Sequence, residues 1–591
     1  MRAHLALVGA VAGAWFAVGV PWWLPAGAAL IAARLRRHRR VGAAALCVVV
    51  ALTAGFAATR ARAALDFPEA GPFDAWVTLV DDPRPSGPVG VRVTVRVEGR
   101  RLTASAHGPV AGRLDDALSG ERLRLVGTVR PVSAGDQRAI VRHVVGRISV
   151  AEVAGRSPAS PIARFANTIR RTLDRGAESL DRSERPLFLG MVIGDDRGQS
   201  AVTADDFRAA GLGHLLVVSG QNVAFVLAVA MPVVGRFRPA GRALSLFAIL
   251  GVFAMLTRFE PSVLRATAMA GVGIGSAALG RPVDGRAALS WACVGLLVVD
   301  PFLVRSVAFQ LSAAATGGIV WLGAPLADRL PGPGWLRVPL STTAAAQLAV
   351  SPVLVSIFGP IPLASLPANL LAGPASGFVM IWGSTGGLVA GLLGGLPARL
   401  IHLPTRALLW WVDGIAAQAA SAPAATLGAG SLVVLGGLVV VAVLVPEPSP
   451  LGFALAVGAV VVLSAAVMNA PAAVPGGRFG GDGISVWQTT AGSVVVLDDP
   501  GSPRAVLERI RVGGASRPAL VVALDGDRAD AEVVLALVDR YGALAIAAPP
   551  LHRVPGARTV VVGQRIAVAD LQVVVAQVEP RLRVIIEPGA G

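Results

Sequence analysis

Lysine is absent: all 53 cations of this 591-residue chain are Arg, set against 37 carboxylates for a net charge of +16. Without Lys there is no Gly-x-x-x-x-Gly-Lys-Ser/Thr loop to cradle a nucleotide, so energy for any transport comes from partners or ion gradients. Charge of either sign is scarce, 15% of residues where soluble proteins carry about a quarter. One large soluble globule is excluded, and so is a disordered chain. The two cysteines, Cys47 and Cys293, both lie in apolar runs and read as small buried hydrophobes, which leaves no disulfide framework and no Cys-rich zinc site. Histidine is also rare, seven in all.

What is present is apolar surface. Hydrophobic residues make up 54% of the chain, alongside 69 Gly and 42 Pro, and the mean hydropathy is +0.65. That much Gly and Pro suits membrane helices, which pack through small residues and whose broken turns are satisfied by neighbours. The expected fold class is a polytopic α-helical membrane protein with a small all-β extramembrane domain and a C-terminal α/β domain. Residues 1–65 hold N-terminal spans: an apolar stretch at 5–33 (one kinked span or a short hairpin), a basic loop, and a span at 41–58. In residues 66–156 runs such as Val89–Val97 and Leu123–Val129 alternate with period two, and Trp76–Val80, Leu102–Ala106 and Ile140–Val150 complete five short strands. Such a set suits a compact OB-like barrel. Residues 157–213 form a connector that opens on an amphipathic helix at Pro161–Leu180, whose apolar residues Ile162, Phe165, Ile169, Leu173, Ala177 and Leu180 suit a membrane surface.

The polytopic domain covers 214–475. Apolar stretches of spanning length occur at 214–234, 241–257, 262–280, 286–300, 303–324, 341–358, 369–393, 399–420, 430–446 and 451–470. Segment 359–374, rich in Pro and Gly, reads as broken or re-entrant. Residues 476–591 are polar again, with strands at Ser485–Gln488, Val494–Leu497, Leu520–Leu524 and Leu544–Ala547, and helices at Arg504–Arg511 and Ala529–Tyr541.

Half of the net charge, +8, lies in residues 1–65, with five Arg in the 34–40 loop. The positive-inside rule puts that loop in the cytoplasm and the β-domain on the outer face of the cytoplasmic membrane. The β-domain is only +2 and the C-terminal domain is neutral, so bulk basicity says little about a nucleic-acid partner.

Polar side chains inside apolar runs are the candidate functional residues, because they face a bundle interior or a pore, or else bond neighbouring helices. His214, Ser219, Gly220, Gln221 and Asn222 head one span. Glu260 and Arg265 head another, with Glu260 the nearest carboxylate in sequence to an Arg that needs a partner, water or the interface. Gln310 and Asn369 are further intramembrane amides.

Gly211-Leu-Gly-His-Leu-Leu-Val-Val-Ser-Gly220 resembles the signature of the ComEC competence protein family, the inner-membrane DNA-uptake channel of natural transformation. Leu189–Asp196, Pro261–Met269, Asp300-Pro301 with Phe309–Ser312, and Phe358-Gly359 with Pro367–Leu371 resemble further family stretches in the right order. The resemblance implies a channel for single-stranded DNA, with a DNA receptor outside, a translocase inside and an OB-like domain that guides the strand; a homo-oligomer is a further expectation. Many members carry Leu-His after the Ser-Gly, whereas Gln221-Asn222 stand here and do not titrate near neutral pH.

The resemblance also implies a C-terminal metallo-β-lactamase-like domain, whose His-x-His-x-Asp-His motif belongs at Leu520–Val533. No His occurs there; Asp530 alone matches the metal-binding Asp, and the 116-residue segment is short for such a domain. A degenerate domain without a metal cofactor, and no nuclease activity, is therefore expected. Asp525, Asp527, Asp530 and Glu532 are carboxylates suited to a hard cation or to capping a helix start. Two other functions stand beside the channel. One is a small-molecule or lipid transporter. The other is a membrane-embedded hydrolase using Ser219 and His214, against which the spacing of five and the lack of a Gly-x-Ser-x-Gly elbow both count.

Overall fold

The computed structural model describes residues 2–15, 24–25, 28, 39–63, 65–86, 90–133, 135–421, 426–427, 430–431, 434, 478–481, 483–513, 515, 517–579 and 581–588. The Arg loop expected in the cytoplasm, up to residue 38, the span expected at 451–470 and, apart from residues 430, 431 and 434, the span expected at 430–446 lie outside these residues. The chain forms two compact units: Met1–Arg197 with His214–Gly359 and Leu370–Trp411, and Gly198–Gly213 with Pro360–Asn369 and Val412–Gly591.

The first unit opens with an apolar hairpin, α1 (Arg2–Trp15) against α2 (Arg39–Ala63). Small residues allow the approach: a Cβ at Gly9 would lie 2.2 Å from the Cys47 carbonyl oxygen, and one at Gly13 2.0 Å from that of Ala51.

A β-domain follows, built from β1 (Gly71–Leu79), β2 (Arg84–Pro85), β3 (Gly90–Val97), β4 (Arg100–His107), helix α3 (Pro109–Asp115), β5 (Arg122–Pro131), helix α4 (Gln137–Val141) and β6 (Val144–Ser157). The sheet order is β1-β5-β6-β4-β3-β2, and β1 also pairs with β3, so five strands close into a barrel. All these pairings are antiparallel except β4 with β6. Alternation sends Leu123 and Leu125 inward and Arg122 and Arg124 outward. The core holds Val77, Val93, Val95, Leu102, Leu114 and Ile148. Ile140 and Val141 belong to α4, because the Asp136 carboxylate caps the Ala139 amide and starts a helix there. The last strand therefore begins at Val144.

Ser160 caps α5 (Pro161–Ala177), with Pro161 at its first turn. Its buried row is Ala166, Asn167, Arg170, Leu173 and Ala177, while Ile162 and Phe165 stay exposed. After α6 (Glu184–Ile193) come, beyond an intervening segment of the second unit, a 3₁₀ turn at Gly213–Leu216 and then α8 (Gly220–Val234), α9 (Pro239–Leu256), α10 (Pro261–Ala278), α11 (Gly285–Val299), α12 (Val307–Arg329), α13 (Gly334–Phe358), α14 (Ser365–Leu393), α15 (Gly395–Ile401) and α16 (Leu403–Ser421); α7 belongs to the second unit, as do the start of α14 up to Asn369 and the end of α16 from Val412. Among the described residues five helical stretches are long and apolar enough to cross a membrane: Ala44–Ala63 and the helices α9, α12, α13 and α14. The chain is thus mostly helical, with sheets at 71–157 and in the C-terminal part. Residues 214–219 precede α8 and form no part of a span. The break expected at 359–374 is narrower: helix resumes at Ser365 and runs through Pro374.

In the second unit, α7 (Ala201–Ala209) and the short strands β7 (Ile361–Pro362) and β8 (Thr426–Leu427) accompany the C-terminal domain. That domain holds β9 (Arg478–Gly481), β10 (Ile484–Thr489), β11 (Gly492–Leu497), α17 (Pro503–Val512), β12 (Pro518–Ala523), α18 (Arg528–Tyr541), β13 (Ala545–Ala548) and β14 (Arg558–Thr559), then β15 (Arg565–Val568), β16 (Leu571–Gln577) and β17 (Arg583–Pro588). Strands β11 to β14 are parallel, and β9 and β10 add antiparallel. One face of this sheet carries Val495, Leu497 and Val521 against Val506, Ile510, Val533 and Leu537 of the helices. The other carries Val494, Val496 and Val522 against Val573 and Val575 of the three-stranded sheet. Both faces are covered, so the strands read as continuous apolar runs.

Candidate functional site

Two polar clusters stand out in the first unit. The first lies at the start of α8, where the sequence concentrates its amides. Ser219 is the N-cap: its hydroxyl accepts from the Gln221 amide at 3.2 Å and donates to Asn222 Oδ1 at 3.3 Å. Asn222 is buried, and its Nδ2 donates to the Met191 carbonyl at 3.1 Å, tying α8 to α6. Ser262 Oγ donates to the Val218 carbonyl at 2.8 Å and ties α10 to the same loop. Apolar contacts of Val218 and Val223 with Leu250, Phe253 and Val263 seal the loop from below. His214 and Gln221 are exposed, while Gly220 is half-buried.

Arg265, on α10, is only 5% exposed. Its Nε donates to Ser312 Oγ at 2.8 Å, and Nη1 approaches the Met269 sulfur at 3.9 Å. Glu260 is not its partner. That carboxylate sits at the N-cap position of α10 and lies 3.6 Å from Arg84 of the barrel, because the helix carries Arg265 a full turn below it. Gln310 donates to the Val304 carbonyl at 2.8 Å and so closes the turn that enters α12.

The second cluster is ionic. Arg170 is 4% exposed and Asp82 7%, with Arg170 Nη2 lying 3.0 Å from Asp82 Oδ2 and 3.1 Å from Asp195 Oδ2. Arg170 Nη1 donates to the carbonyls of Ile193 and Leu256, at 3.0 and 2.7 Å. Arg258 grips Asp82 with two nitrogens, at 3.1 and 2.8 Å, and also donates to Asn167 Oδ1. Asn167 passes the chain of bonds to the Ser119 carbonyl, and the Ser119 amide returns to Asp82. Arg197 binds Asp195 through two nitrogens. Burial opposes ionisation of Asp82, but the Arg170 and Arg258 guanidiniums outweigh it and hold its pKa at about 2. Asp195 is likewise held low against its burial, by the Arg197 hydrogen bond and the Arg170 charge. Arg258 and Phe259 both sit at φ +56°, a turn unfavourable for side-chain-bearing residues that aims Arg258 at Asp82. The cluster joins barrel, α5, the end of α6 and the α9–α10 turn.

The apolar row expected on α5 leaves out Arg170, yet the row Ala166, Arg170, Leu173, Ala177 has helical spacing and small neighbours, which is a signal of burial. The twin acids Asp81-Asp82 and Asp195-Asp196 were the other signal.

In the second unit Asn369 donates to the Ser365 carbonyl at 2.7 Å and reaches that of Gly211 at 3.4 Å. Asp530 is fully buried in the first turn of α18; one oxygen accepts from the Gly526 amide at 2.8 Å and the other has no hydrogen-bond partner. Burial, opposed by that amide, raises its pKa to about 6.

The model of the competence protein family matches residues 191–448. ComE operon protein 3 of Bacillus subtilis (strain 168) is 26% identical over 209 residues, which cover 35% of this chain and 26% of that protein. Uncharacterized protein YcaI of Escherichia coli (strain K12) is 29% identical over 216 residues, 33% of this chain and 28% of its own length. The match thus spans under a third of the length of either curated relative. No solved structure matches.

Proposed function

Because residues 191–448 belong to the competence protein family, we propose that the chain is the channel through which single-stranded DNA crosses the cytoplasmic membrane in natural transformation. The observation that carries this reading lies within the matched region. Polar groups on and beside an apolar helix are held by hydrogen bonds: Ser219 to Asn222, Asn222 to Met191, Ser262 to Val218, and Arg265 of α10 to Ser312 of α12. Such groups are retained at membrane depth where they line a path or a site.

The remaining parts are assigned in keeping with it. The barrel is OB-like: its parallel β4–β6 pair and the helix between β4 and β5 support that topology. Placed on the outer face, it guides the incoming strand. The C-terminal sandwich, with helices on one face of a mixed sheet and a second sheet on the other, is a degenerate metallo-β-lactamase-like domain. It is non-hydrolytic, because residues 520–533 offer carboxylates and no His to a metal. A DNA receptor outside and a translocase inside supply capture and energy, and the channel works as a single chain or a homo-oligomer.

The test is transformation by a selectable marker in a deletion strain complemented with the wild-type chain or with Asn222→Ala, at matched membrane abundance. The expected result is loss of transformation on deletion, rescue by the wild type, and impaired rescue by the variant. Undiminished transformation in the deletion strain refutes the channel.

A further inference from the structure

The helices of the C-terminal domain carry a face that fits one helix from elsewhere in the chain. On α7 the acids Asp205 and Asp206 are 2% and 7% exposed. Each meets an Arg from a different helix of the domain: Asp205 lies 3.2 Å from Arg511 of α17, and Asp206 pairs with Arg540 of α18. Arg208 reverses the order, with its Nη1 3.3 Å from Glu508 of α17. Acid, acid and base on α7 thus face base, base and acid on the domain. Beside them Ala201 and Val202 pack against the apolar core under α17 and α18. A carboxylate so buried is costly unless paired, and a row of mixed charges accepts one register and rejects slipped ones.

The far end of α7 makes a second joint. Gly211 sits at φ +69°, and a Cβ there would lie 2.4 Å from the Ser365 Cβ at the first residue of α14. Its carbonyl accepts from Asn369 Nδ2 at 3.4 Å, and the same Nδ2 donates to the Ser365 carbonyl at 2.7 Å. The Leu212 amide donates back to the Phe207 carbonyl at 2.7 Å, so this turn is tied to α7 itself. Phe207 and Leu212 are fully buried. Both joints belong to one compact unit. A helix held by the domain along its acids therefore carries, at its end, the contact that seats Asn369.

We propose that the C-terminal domain works as a clamp: its α17–α18 face grips α7 and, through Gly211, fixes the entry of α14 with Asn369. Release of α7 withdraws Gly211 from Ser365 and frees residues 361–369. The clamp stands without the channel reading. Only its consequence for transport, an Asn369 displaced from the path of a strand, rests on that reading.

The test is hydrogen–deuterium exchange on the full chain in nanodiscs, read by mass spectrometry at residues 201–209, at 361–369 and in strands β11 and β12. Asp205→Asn combined with Asp206→Asn removes both anions and keeps side-chain size. It is expected to speed exchange at 201–209 and at 361–369 by at least about tenfold, the scale of one lost charge-assisted hydrogen bond, with β11 and β12 still protected. Asp206→Glu keeps the charge and is expected to keep most of the protection. Gly211→Ala breaks the second joint alone, so it is expected to speed exchange at 361–369 with 201–209 still protected. Unchanged exchange at 201–209 in the doubly neutralised variant overturns the clamp, and so does a loosened α7 with 361–369 unchanged. Where that variant also loses protection in β11 and β12, Gly211→Ala decides, and wild-type protection at 361–369 in it overturns the proposal. Undiminished transformation in the deletion strain refutes the channel and leaves the exchange result standing.

Discussion

Asp82 is an acid that the fold has made dependent on two bases. Its ordinary pKa of 3.8 falls to about 2 in the folded chain. Because the folded value is depressed, the stabilisation is fully present above about pH 4 and is lost as pH falls toward 2; a shift of this size amounts to about 2 kcal/mol. Asp82→Asn leaves Arg170 and Arg258 buried with one anion fewer, so it is expected to destabilise the full chain by about 3–5 kcal/mol at pH 7. Thermal unfolding in detergent reads this, and a loss under about 1 kcal/mol would make the cluster no more than a surface pair. Asp530 behaves in the opposite sense. Its folded pKa of about 6 lies above the ordinary 3.8, so it contributes least above pH 6 and the domain loses stability as pH rises from 4 to 6. Asp530→Asn is expected to flatten that slope, by up to about 3 kcal/mol across the interval. An unchanged pH profile would show that this carboxylate is not the group being titrated.

Close helix approach is set by glycine at the element scale. A Cβ at Gly391 of α14 would lie 1.8 Å from the Thr172 carbonyl oxygen of α5, and one at Gly176 2.6 Å from the Gly387 carbonyl oxygen. Gly391→Val is expected to separate the two helices and to destabilise the chain by at least about 1–3 kcal/mol, the range for overpacking a tight contact; an unaltered melting temperature contradicts the crossing. In the second unit α7 docks on the C-terminal domain through buried acids, with Asp205 3.2 Å from Arg511 and Asp206 paired with Arg540. A double-mutant cycle of Asp206→Asn with Arg540→Met is expected to return a coupling of about 1–3 kcal/mol, and additivity would remove the pair as a clamp. Element-level legibility was uneven for physical reasons. Period-two alternation such as Leu123-Arg-Leu125 declares a strand, and Val494–Leu497 declares a strand buried on both faces. Ile140-Val141 looked like strand because the cap from Asp136 acts three residues away. Arg170 looked like surface because charge suggests water, whereas its partners come from residues 82, 193, 195 and 256, far off in sequence. Glu260 and Arg265 looked like a pair by proximity in sequence; the helix separates them and hands Glu260 to Arg84.

At the scale of the molecule, the apolar excess becomes, among the described residues, five helical stretches of spanning length and several shorter apolar helices, and the family match falls on the region that carries the amides and Arg265. The net charge of +16 is spread among the N-terminal segment, the Arg clusters of the first unit and the clamps on α7, so it was a poor guide to the ligand. The ordered motifs between residues 185 and 375 were the better one, because several place a polar group or a glycine at a helix end: Gly194, Ser219, Asp300 and Gly359. The central claim is passage of a DNA strand through this chain. Its most direct test follows labelled duplex DNA added to the native host with and without the chain. With the chain deleted, label is expected to accumulate at the cell surface, with no nuclease-protected single strand in the cytoplasm, and complementation restores the internal strand. Protected cytoplasmic single strand at wild-type level in the deletion strain would contradict the account.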